Sequence, residues 1–259
     1  MSSAGDKSAL GNRTSERQTA SEKPTEKELV GRGAVSRFLS SGMKVGFGTG
    51  STAVWAIREI GAQLASGRHT NIIGVATSFQ AELECHALGI PLHQMNSPEI
   101  DGSLDITFDG ADEVLIDSAG RAKALIKGGG AALLIEKVVA YNSGSLVVVA
   151  TRSKLVDSIG TQFPVPVEVI PFARVPVERA LRSLGADPVL REAQRKMGPV
   201  VTDNGNLIYD VRFHTPVDPD RMEAQLSTIP GVVGNGIFAQ KPATVVTTDD
   251  DGDIRIIET

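Results

Sequence analysis

The sequence predicts an α/β protein in which a mostly parallel sheet carries helices on both faces, followed by a smaller α+β domain. Strand-like apolar runs alternate with helix-like stretches up to about residue 160, as they do in βαβ units. Loops rich in Gly, Ser, Thr and Asp follow several of these strands, where open α/β sheets bind ligands. After about residue 160, the alternation of strands and helices gives way to proline-rich segments and a β-hairpin turn motif. We therefore predict a Rossmann-like main domain formed by residues 28–160 and 238–259, and a small domain formed by residues 161–237.

The composition argues against several functional classes. The chain has 259 residues, 41% of them hydrophobic, and a net charge of -5 without a basic run. Nucleic-acid binding is therefore not expected, because phosphate contacts need clustered Lys and Arg. No apolar run approaches the roughly 18 residues that cross a bilayer, so no membrane partner is expected either. The single cysteine, Cys85, indicates a reducing, cytoplasmic compartment, and four scattered histidines predict no metal site.

The first loop motif follows the first strand. Residues 1–27 are almost without apolar side chains and predict a disordered tail. A helix over 28–39 and a strand over 43–47 follow, and the strand opens into the segment Gly48-Thr49-Gly50-Ser51-Thr52 before a helix over 53–64. A strand, a Gly/Ser/Thr loop and a helix form an arrangement that binds phosphate. The alternative is a tight turn in which Ser51 or Thr52 caps the helix.

An acidic segment follows a later strand. After strands over 72–76 and 90–92 and a helix over 79–88, a strand over 104–108 ends in Asp109-Gly110-Ala111-Asp112-Glu113. Such a density of carboxylates at the carboxyl end of a parallel strand indicates a ligand site. A solvated acidic turn or a divalent-ion site remains an alternative.

The glycine loop is the strongest motif. A strand over 122–127 runs into Lys127-Gly128-Gly129-Gly130-Ala131-Ala132, and the residues after it favour a helix. Helix N-termini offer free N–H groups that suit an anion, whereas the alternative is a flexible turn before a surface helix. Glu136 lies off the apolar stripe of this helix, so the pattern alone predicts a solvent-facing side chain. A buried strand over 146–150 brings Lys154 to the same edge of the sheet.

The small domain has its own order of elements. We predict a ferredoxin-like domain from the order of its elements. These are a proline-punctuated strand over 163–171, a helix over 175–184, strands over 200–202 and 207–211 around an Asp-Asn-Gly-Asn turn, and a helix from Pro219 to about residue 228. A terminal hairpin of strands 244–247 and 254–257 is expected to return to the main domain.

Taken in order, the three loop motifs, Glu136-Lys137 and Lys154 resemble the ribose-5-phosphate isomerase A family. The resemblance extends from about residue 28 to the end of the chain. It implies interconversion of D-ribose 5-phosphate and D-ribulose 5-phosphate in the non-oxidative pentose phosphate pathway. It also implies no metal or organic cofactor, a sugar phosphate as the binding partner, and assembly as a homodimer or homotetramer.

The resemblance also implies roles for particular residues. Glu136 would be the proton acceptor. From the chemistry of the reaction, we expect Lys127 and the amides after it to stabilise an oxyanion, Asp109 to assist ring opening and Asp112 to position hydroxyls. The expected substrate site comprises Thr49, Gly50, Ser51, Thr52, Asp109, Gly110, Ala111, Asp112, Lys127, Gly128, Gly129, Gly130 and Lys154. The phosphate is expected either at the Ser51/Thr52 loop or near Lys154, with Lys44 and Arg152 as further candidates.

Two other functions remain open from the sequence. A CoA transferase would use Glu136 as a nucleophile, because glycine loops before a Glu also suit acyl chemistry. A non-catalytic sugar-phosphate sensor would normally carry a DNA-binding element, and no basic helix pair is evident.

Overall fold

The computed structural model describes residues 23–259, so residues 1–22 of the predicted tail lie outside the described residues. The helices are α1 (Glu26–Phe38), α2 (Ala53–Ala65), α3 (Phe79–Ala87), α4 (Leu133–Tyr141), α5 (Arg174–Ser183) and α6 (Pro219–Ser227). The strands are β1 (Lys44–Phe47), β2 (Ile73–Ala76), β3 (Leu104–Gly110), β4 (Glu113–Ile116), β5 (Ala122–Ile126), β6 (Ser143–Val149), β7 (Leu155–Val156), β8 (Val165–Val169), β9 (Ala186–Leu190), β10 (Leu207–Phe213), β11 (Val232–Asn235), β12 (Ile237–Phe238), β13 (Ala243–Thr248) and β14 (Ile254–Ile257).

The main sheet has the strand order β14-β13-β6-β3-β1-β2. Every neighbouring pair in it is parallel except β13 and β14, which form the predicted terminal hairpin. The α/β class with a mostly parallel sheet is therefore confirmed. Because β1, β3 and β6 run in the same direction, the loops that follow them meet at one edge of the sheet.

Helices cover both faces of this sheet. Side chains alternate between the faces of a strand, and those of Val45 and Phe47 pack in one apolar cluster with α1, α2 and α3. A Cβ placed on Gly46, between them, would lie 2.5 Å from Val139 of α4, so α4 covers the other face. Cys85 is buried in the first cluster, and burial raises the pKa of its thiol to about 12, which fits a packing role.

The small antiparallel sheet has the order β11-β8-β10-β9, and α5 and α6 lie between its strands in the chain. This is the predicted ferredoxin-like order, but the prediction of its second strand was wrong. That strand is β9 rather than residues 200–202, which contribute only the isolated Val201–Leu207 bridge. Asp187 and Pro188 obscured β9 in the sequence, and Pro is tolerated there because β9 is an edge strand.

A third sheet, β12-β5-β4-β7, was not predicted as a separate unit. It brings Glu113 into the interior, where the carboxylate accepts hydrogen bonds from the amides of Gly160, Gln162 and Phe163 at 2.5–2.6 Å. The predicted strand over 90–92 is reduced to a single bridge between Gly74 and Leu92. The predicted division of the chain near residue 160 stays a prediction.

Candidate active site

The cavity of interest lies at the carboxyl edge of the main sheet and has a volume of about 160 Å³. The loops after β1, β3, β5 and β6 all contribute to its walls. Its lining consists of Lys27, Thr49, Gly50, Ser51, Thr52, Gly110, Ala111, Asp112, Lys127, Gly128, Gly129, Gly130, Glu136, Thr151 and Lys154. The structure thus brings every predicted site residue to this cavity except Asp109, which lies behind Lys127.

The loop between β1 and α2 is held by hydrogen bonds to residues at the end of β2 and the start of α3. The Thr49 hydroxyl is 2.8 Å from the Thr77 hydroxyl and 2.6 Å from that of Ser78, and the Gly50 amide donates to the Gln80 side chain at 3.1 Å. Gly50 has a φ of 106°, which favours glycine. The Thr52 side chain makes no capping hydrogen bond to α2, so its hydroxyl is available to the cavity.

The glycine loop approaches its neighbours too closely for side chains. The Gly129 amide donates to Asp112 Oδ2 at 2.8 Å, and a Cβ on Gly129 would lie 2.7 Å from Asp112 Oδ1. Gly128 has a φ of 108°, and Ala131 adopts a left-handed φ of 60° just before α4 begins. Backbone conformation therefore requires glycine at position 128 and close approach requires it at position 129, which argues against a merely flexible turn.

A buried ion cluster forms the floor of the cavity. Lys127 Nζ lies 2.9 Å from Asp109 Oδ2 and 3.4 Å from Glu136 Oε1, and it donates to Gly110 O at 2.6 Å. All three charged residues are at most 4% exposed. Asp109 Oδ1 also accepts from the Thr49 and Gly110 amides. Since Asp109 is committed to these partners, a divalent-ion site at the acidic segment is not favoured.

The cluster shifts the pKa values of its members. Burial, and then the charge of Asp109, raise the pKa of Glu136 to about 8, although Lys127 acts in the opposite direction. Burial also raises the pKa of Asp109, partly offset by Lys127. Burial alone would lower the pKa of Lys127, but the two carboxylates outweigh it and raise that pKa to about 12. One cation thus faces two carboxylates, and this favours a proton on the pair near neutral pH.

The solvent-facing position that the helical pattern indicated for Glu136 was wrong. The side of α4 that carries Glu136 is covered by Lys127 at the end of β5, so the apolar stripe is not the only buried face. Within residues 23–259, Glu136 Oε2 has no hydrogen-bond partner. This oxygen is buried, and it belongs to a residue that lines the cavity, so an unused hydrogen-bond acceptor lies beside the cavity.

Two of the cationic residues that were candidates for binding the phosphate do not line the cavity. A lysine that the sequence did not indicate does line it. Lys44 Nζ donates to Ile100 O, and Arg152 pairs with Asp250. Lys27, assigned to the tail, instead belongs to α1 and donates to the Ser51 hydroxyl at 2.9 Å. Its neighbours in sequence carry no signal for this role, because the contact depends on how α1 packs beside α2.

The described part of the chain contains neither a membrane-spanning helix nor a cluster of metal ligands. From residue 23 onward, no helix combines the length and the apolar character needed to span a membrane. The same residues contain no group of three or more His, Cys, Asp or Glu side chains placed to hold a metal ion.

The chain resembles proteins of one family over most of its length. Residues 73–252 match the family model described as ribose 5-phosphate isomerase A (phosphoriboisomerase A). A ribose-5-phosphate isomerase A of Treponema denticola is 47% identical over 236 residues, covering 88% of this chain and 97% of the relative. That of Thermosynechococcus vestitus is 50% identical over 212 residues, covering 82% and 86%.

Solved structures give the same result. Ribose 5-phosphate isomerase A from Methanocaldococcus jannaschii superimposes with a TM-score of 0.82 at 41% identity, covering 90% of this chain and 98% of that one. A D-ribose-5-phosphate isomerase in complex with phospho-erythronic acid gives a TM-score of 0.83 at 39% identity, with the same coverage.

Proposed function

The chain belongs to the ribose-5-phosphate isomerase A family, and on that premise we propose that it interconverts D-ribose 5-phosphate and D-ribulose 5-phosphate by proton transfer through an enediol(ate). The reaction would serve the non-oxidative pentose phosphate pathway. The observation that carries the mechanism is the buried cluster of Lys127, Asp109 and Glu136 at the wall of a cavity.

Glu136 is the proposed base. Isomerisation moves a proton between C1 and C2, and a single carboxylate on one face of the substrate is sufficient for both transfers. A pKa raised to about 8 makes the carboxylate a stronger base than an exposed Glu while leaving part of it ionised at neutral pH. Its Oε2 atom, which has no partner among the described residues, is the acceptor that faces no competing donor.

Lys127 and the glycine loop are the proposed oxyanion stabilisers. Lys127 is fixed before substrate arrives, because it donates to Gly110 O and pairs with Asp109. A fixed cation and fixed amides in a dry site stabilise developing charge without reorganisation. Gly130 lines the cavity and its amide has no acceptor among residues 23–259, so this amide is the proposed donor.

The phosphate is proposed to bind at the opposite end of the cavity, between Lys27 and Lys154. Ser51 and Thr52 line the same cavity at the start of α2, where the helix dipole also favours an anion, and the Ser51 hydroxyl accepts from Lys27. A dianion needs both donors and cations, and this end of the cavity supplies both. The family member solved with phospho-erythronic acid holds a phosphorylated sugar acid, which is consistent with such a site.

Asp112 and Asp109 have different access to a substrate. Asp112 lines the cavity and is proposed to position hydroxyls, with one oxygen held by the Gly129 amide. Asp109 is 0% exposed and reaches the cavity through Lys127. Its role in ring opening stays a prediction, and the geometry adds that any direct transfer from Asp109 requires Lys127 to move.

The function is tested with the purified protein and D-ribose 5-phosphate in D₂O, followed by NMR. The expected product is D-ribulose 5-phosphate with measurable deuterium at the carbon that receives the proton. Deuterium at that carbon would demonstrate transfer through an exchangeable group, absence of any isomerisation would contradict the function, and binding without turnover would indicate a sensor. Incubation with an acyl-CoA and hydroxylamine tests the transferase alternative, since only that enzyme would form a trappable glutamyl thioester.

A further inference from the structure

A guanidinium from the small domain reaches the back of the glycine loop. Arg191 follows β9 directly, and its Nη1 donates to Gly128 O at 2.9 Å and to Gly129 O at 3.2 Å. Its Nε and Nη2 donate to the two carboxylate oxygens of Asp210 at 2.9 and 2.5 Å. The Arg191 side chain is only 13% exposed, so the guanidinium is held on both sides.

We propose that Arg191, held in place by Asp210, is a positioning residue: it orients the Gly129 amide towards Asp112 and the Gly130 amide towards the oxyanion of the isomerisation. This inference rests on the proposed function, since it assigns a purpose to the loop that the mechanism uses. Arg191 itself does not line the substrate cavity, and it acts through the backbone.

The planarity of the peptide bond explains how Arg191, which binds carbonyl oxygens on one side of the glycine loop, fixes the N–H groups on its other side. In a trans peptide, the carbonyl of one residue and the N–H of the next point in opposite directions from one plane. Holding Gly128 O therefore directs the Gly129 N–H away from Arg191, and that N–H donates to Asp112. Holding Gly129 O likewise directs the Gly130 N–H away from Arg191, where no acceptor among the described residues occupies it.

Arg191 supplies a contact that the loop does not make for itself. The Ala131 amide also donates to Gly128 O, at 3.0 Å, but Gly129 O has no donor other than Arg191 among the described residues. Gly129 and Gly130 are exposed, and glycines have the largest conformational freedom of any residue. The same two residues border a second cavity of about 450 Å³ on the side of Arg191. The loop is therefore a thin partition between two open spaces, and Arg191 and Asp112 hold it from opposite sides.

Only arginine has the geometry for this role. Its planar guanidinium presents donors in a rigid fork, so it pairs with both oxygens of Asp210 while a further N–H reaches the two carbonyls. A lysine ammonium keeps the charge but loses this fork. The Arg191→Lys variant therefore separates charge from geometry.

The test compares Arg191→Lys and Arg191→Met with Arg212→Met, a control on the neighbouring strand β10 whose side chain is exposed. Four quantities are measured: kcat and KM for D-ribose 5-phosphate, the Kd of phospho-erythronic acid, whose carboxylate resembles the enediolate in charge, and the Kd of inorganic phosphate. Inorganic phosphate probes the phosphate end of the cavity alone.

We expect Arg191→Met to lower kcat by roughly tenfold to a hundredfold, because misplaced oxyanion donors act on the transition state. Phospho-erythronic acid should bind more weakly, whereas the phosphate Kd should stay within about twofold. Arg191→Lys should recover only part of the loss, and Arg212→Met should match the wild type.

Wild-type values for both Arg191 variants would overturn the inference, and so would full rescue by Lys. An equal loss of affinity for both ligands would also overturn it, because that pattern indicates a general disturbance of the site. If Arg191→Met does not fold, Arg191→Lys decides between these outcomes. Failure of the proposed function is distinct, since the wild-type protein would then not isomerise D-ribose 5-phosphate at all.

Discussion

The Lys127 ammonium lies 3.4 Å from the Glu136 carboxylate, and both side chains are almost fully buried. The same ammonium is closer to Asp109, at 2.9 Å. The Lys127 ammonium therefore attracts the Glu136 carboxylate less strongly than it attracts Asp109, and burial also deprives Glu136 of hydration. This unequal sharing keeps the pKa of Glu136 high, and the behaviour of the site with pH follows from it.

The kcat/KM for D-ribose 5-phosphate should rise with pH up to about 8. Glu136 accepts a proton only when ionised, and its pKa in the free protein is raised to about 8 by burial and by Asp109. Steady-state rates between about pH 5.5 and 9.5 measure this limb, which is separable from the ionisation of the substrate phosphate near about pH 6. An acid limb centred near the pKa of an ordinary Glu would contradict the prediction.

Asp109→Asn should move that acid limb to lower pH. The negative charge of Asp109 is one of the causes that raise the pKa of Glu136, so its removal leaves Lys127 to favour the ionised base. The measurement is the pH profile of kcat/KM for this variant. Asp251→Asn, in the exposed terminal turn, is the control and should keep the wild-type profile. A limb that stays in place or moves upward in Asp109→Asn would show that the two carboxylates are not coupled.

Burial of Glu136 should cost the protein stability as the pH rises. The folded-state pKa of about 8 lies above the ordinary Glu pKa of 4.5, so the folded protein binds more protons than the unfolded chain between these values. The free energy of unfolding should therefore fall across this window relative to Glu136→Gln, by on the order of 1 kcal/mol per pH unit at most. Urea titrations of both proteins at several pH values measure the difference. A constant difference would contradict the prediction.

Lys27→Met should raise KM with little change in kcat. Lys27 is proposed to bind the phosphate, which does not react, and losing a charge-assisted hydrogen bond of about 1.5–3 kcal/mol predicts a KM increase of roughly tenfold or more. Steady-state kinetics measure both constants. Lys23→Met is the control, since Lys23 is exposed and does not line the cavity. A fall in kcat with unchanged KM would place Lys27 in the chemical step instead.

Much of the fold was predictable because periodicity and turn residues are local signals. The alternation of strands and helices predicted the main sheet, and the Asp-Asn-Gly-Asn turn marked the hairpin region. Strand β9 was missed because Asp187 and Pro188 are poor strand formers that only an edge position tolerates. The sheet formed by β4, β5, β7 and β12 depends on pairing between segments far apart in the chain, for which short strands give no local signal.

The site was predictable where a motif required special backbone geometry and unpredictable where distant elements meet. The glycine loop and the loop after β1 were found because Gly50 and Gly128 occupy conformations that favour glycine. Nothing in the sequence around Lys27 and Arg191 distinguishes them from other cationic residues. Only the packing of the folded chain brings Lys27 into contact with the loop after β1 and Arg191 into contact with the glycine loop. The burial of Glu136 was hidden for the same reason, since its helix is covered on a second side by Lys127.

The most direct measurement is the turnover of Glu136→Gln together with its binding of phospho-erythronic acid. Gln keeps the size of the side chain and removes the base, so kcat should fall by roughly 10²–10⁴-fold. The Kd of phospho-erythronic acid should stay unchanged or decrease, because a negative charge near the ligand carboxylate is removed. A variant that binds this ligand and still isomerises D-ribose 5-phosphate at close to the wild-type rate would show that Glu136 is not the base.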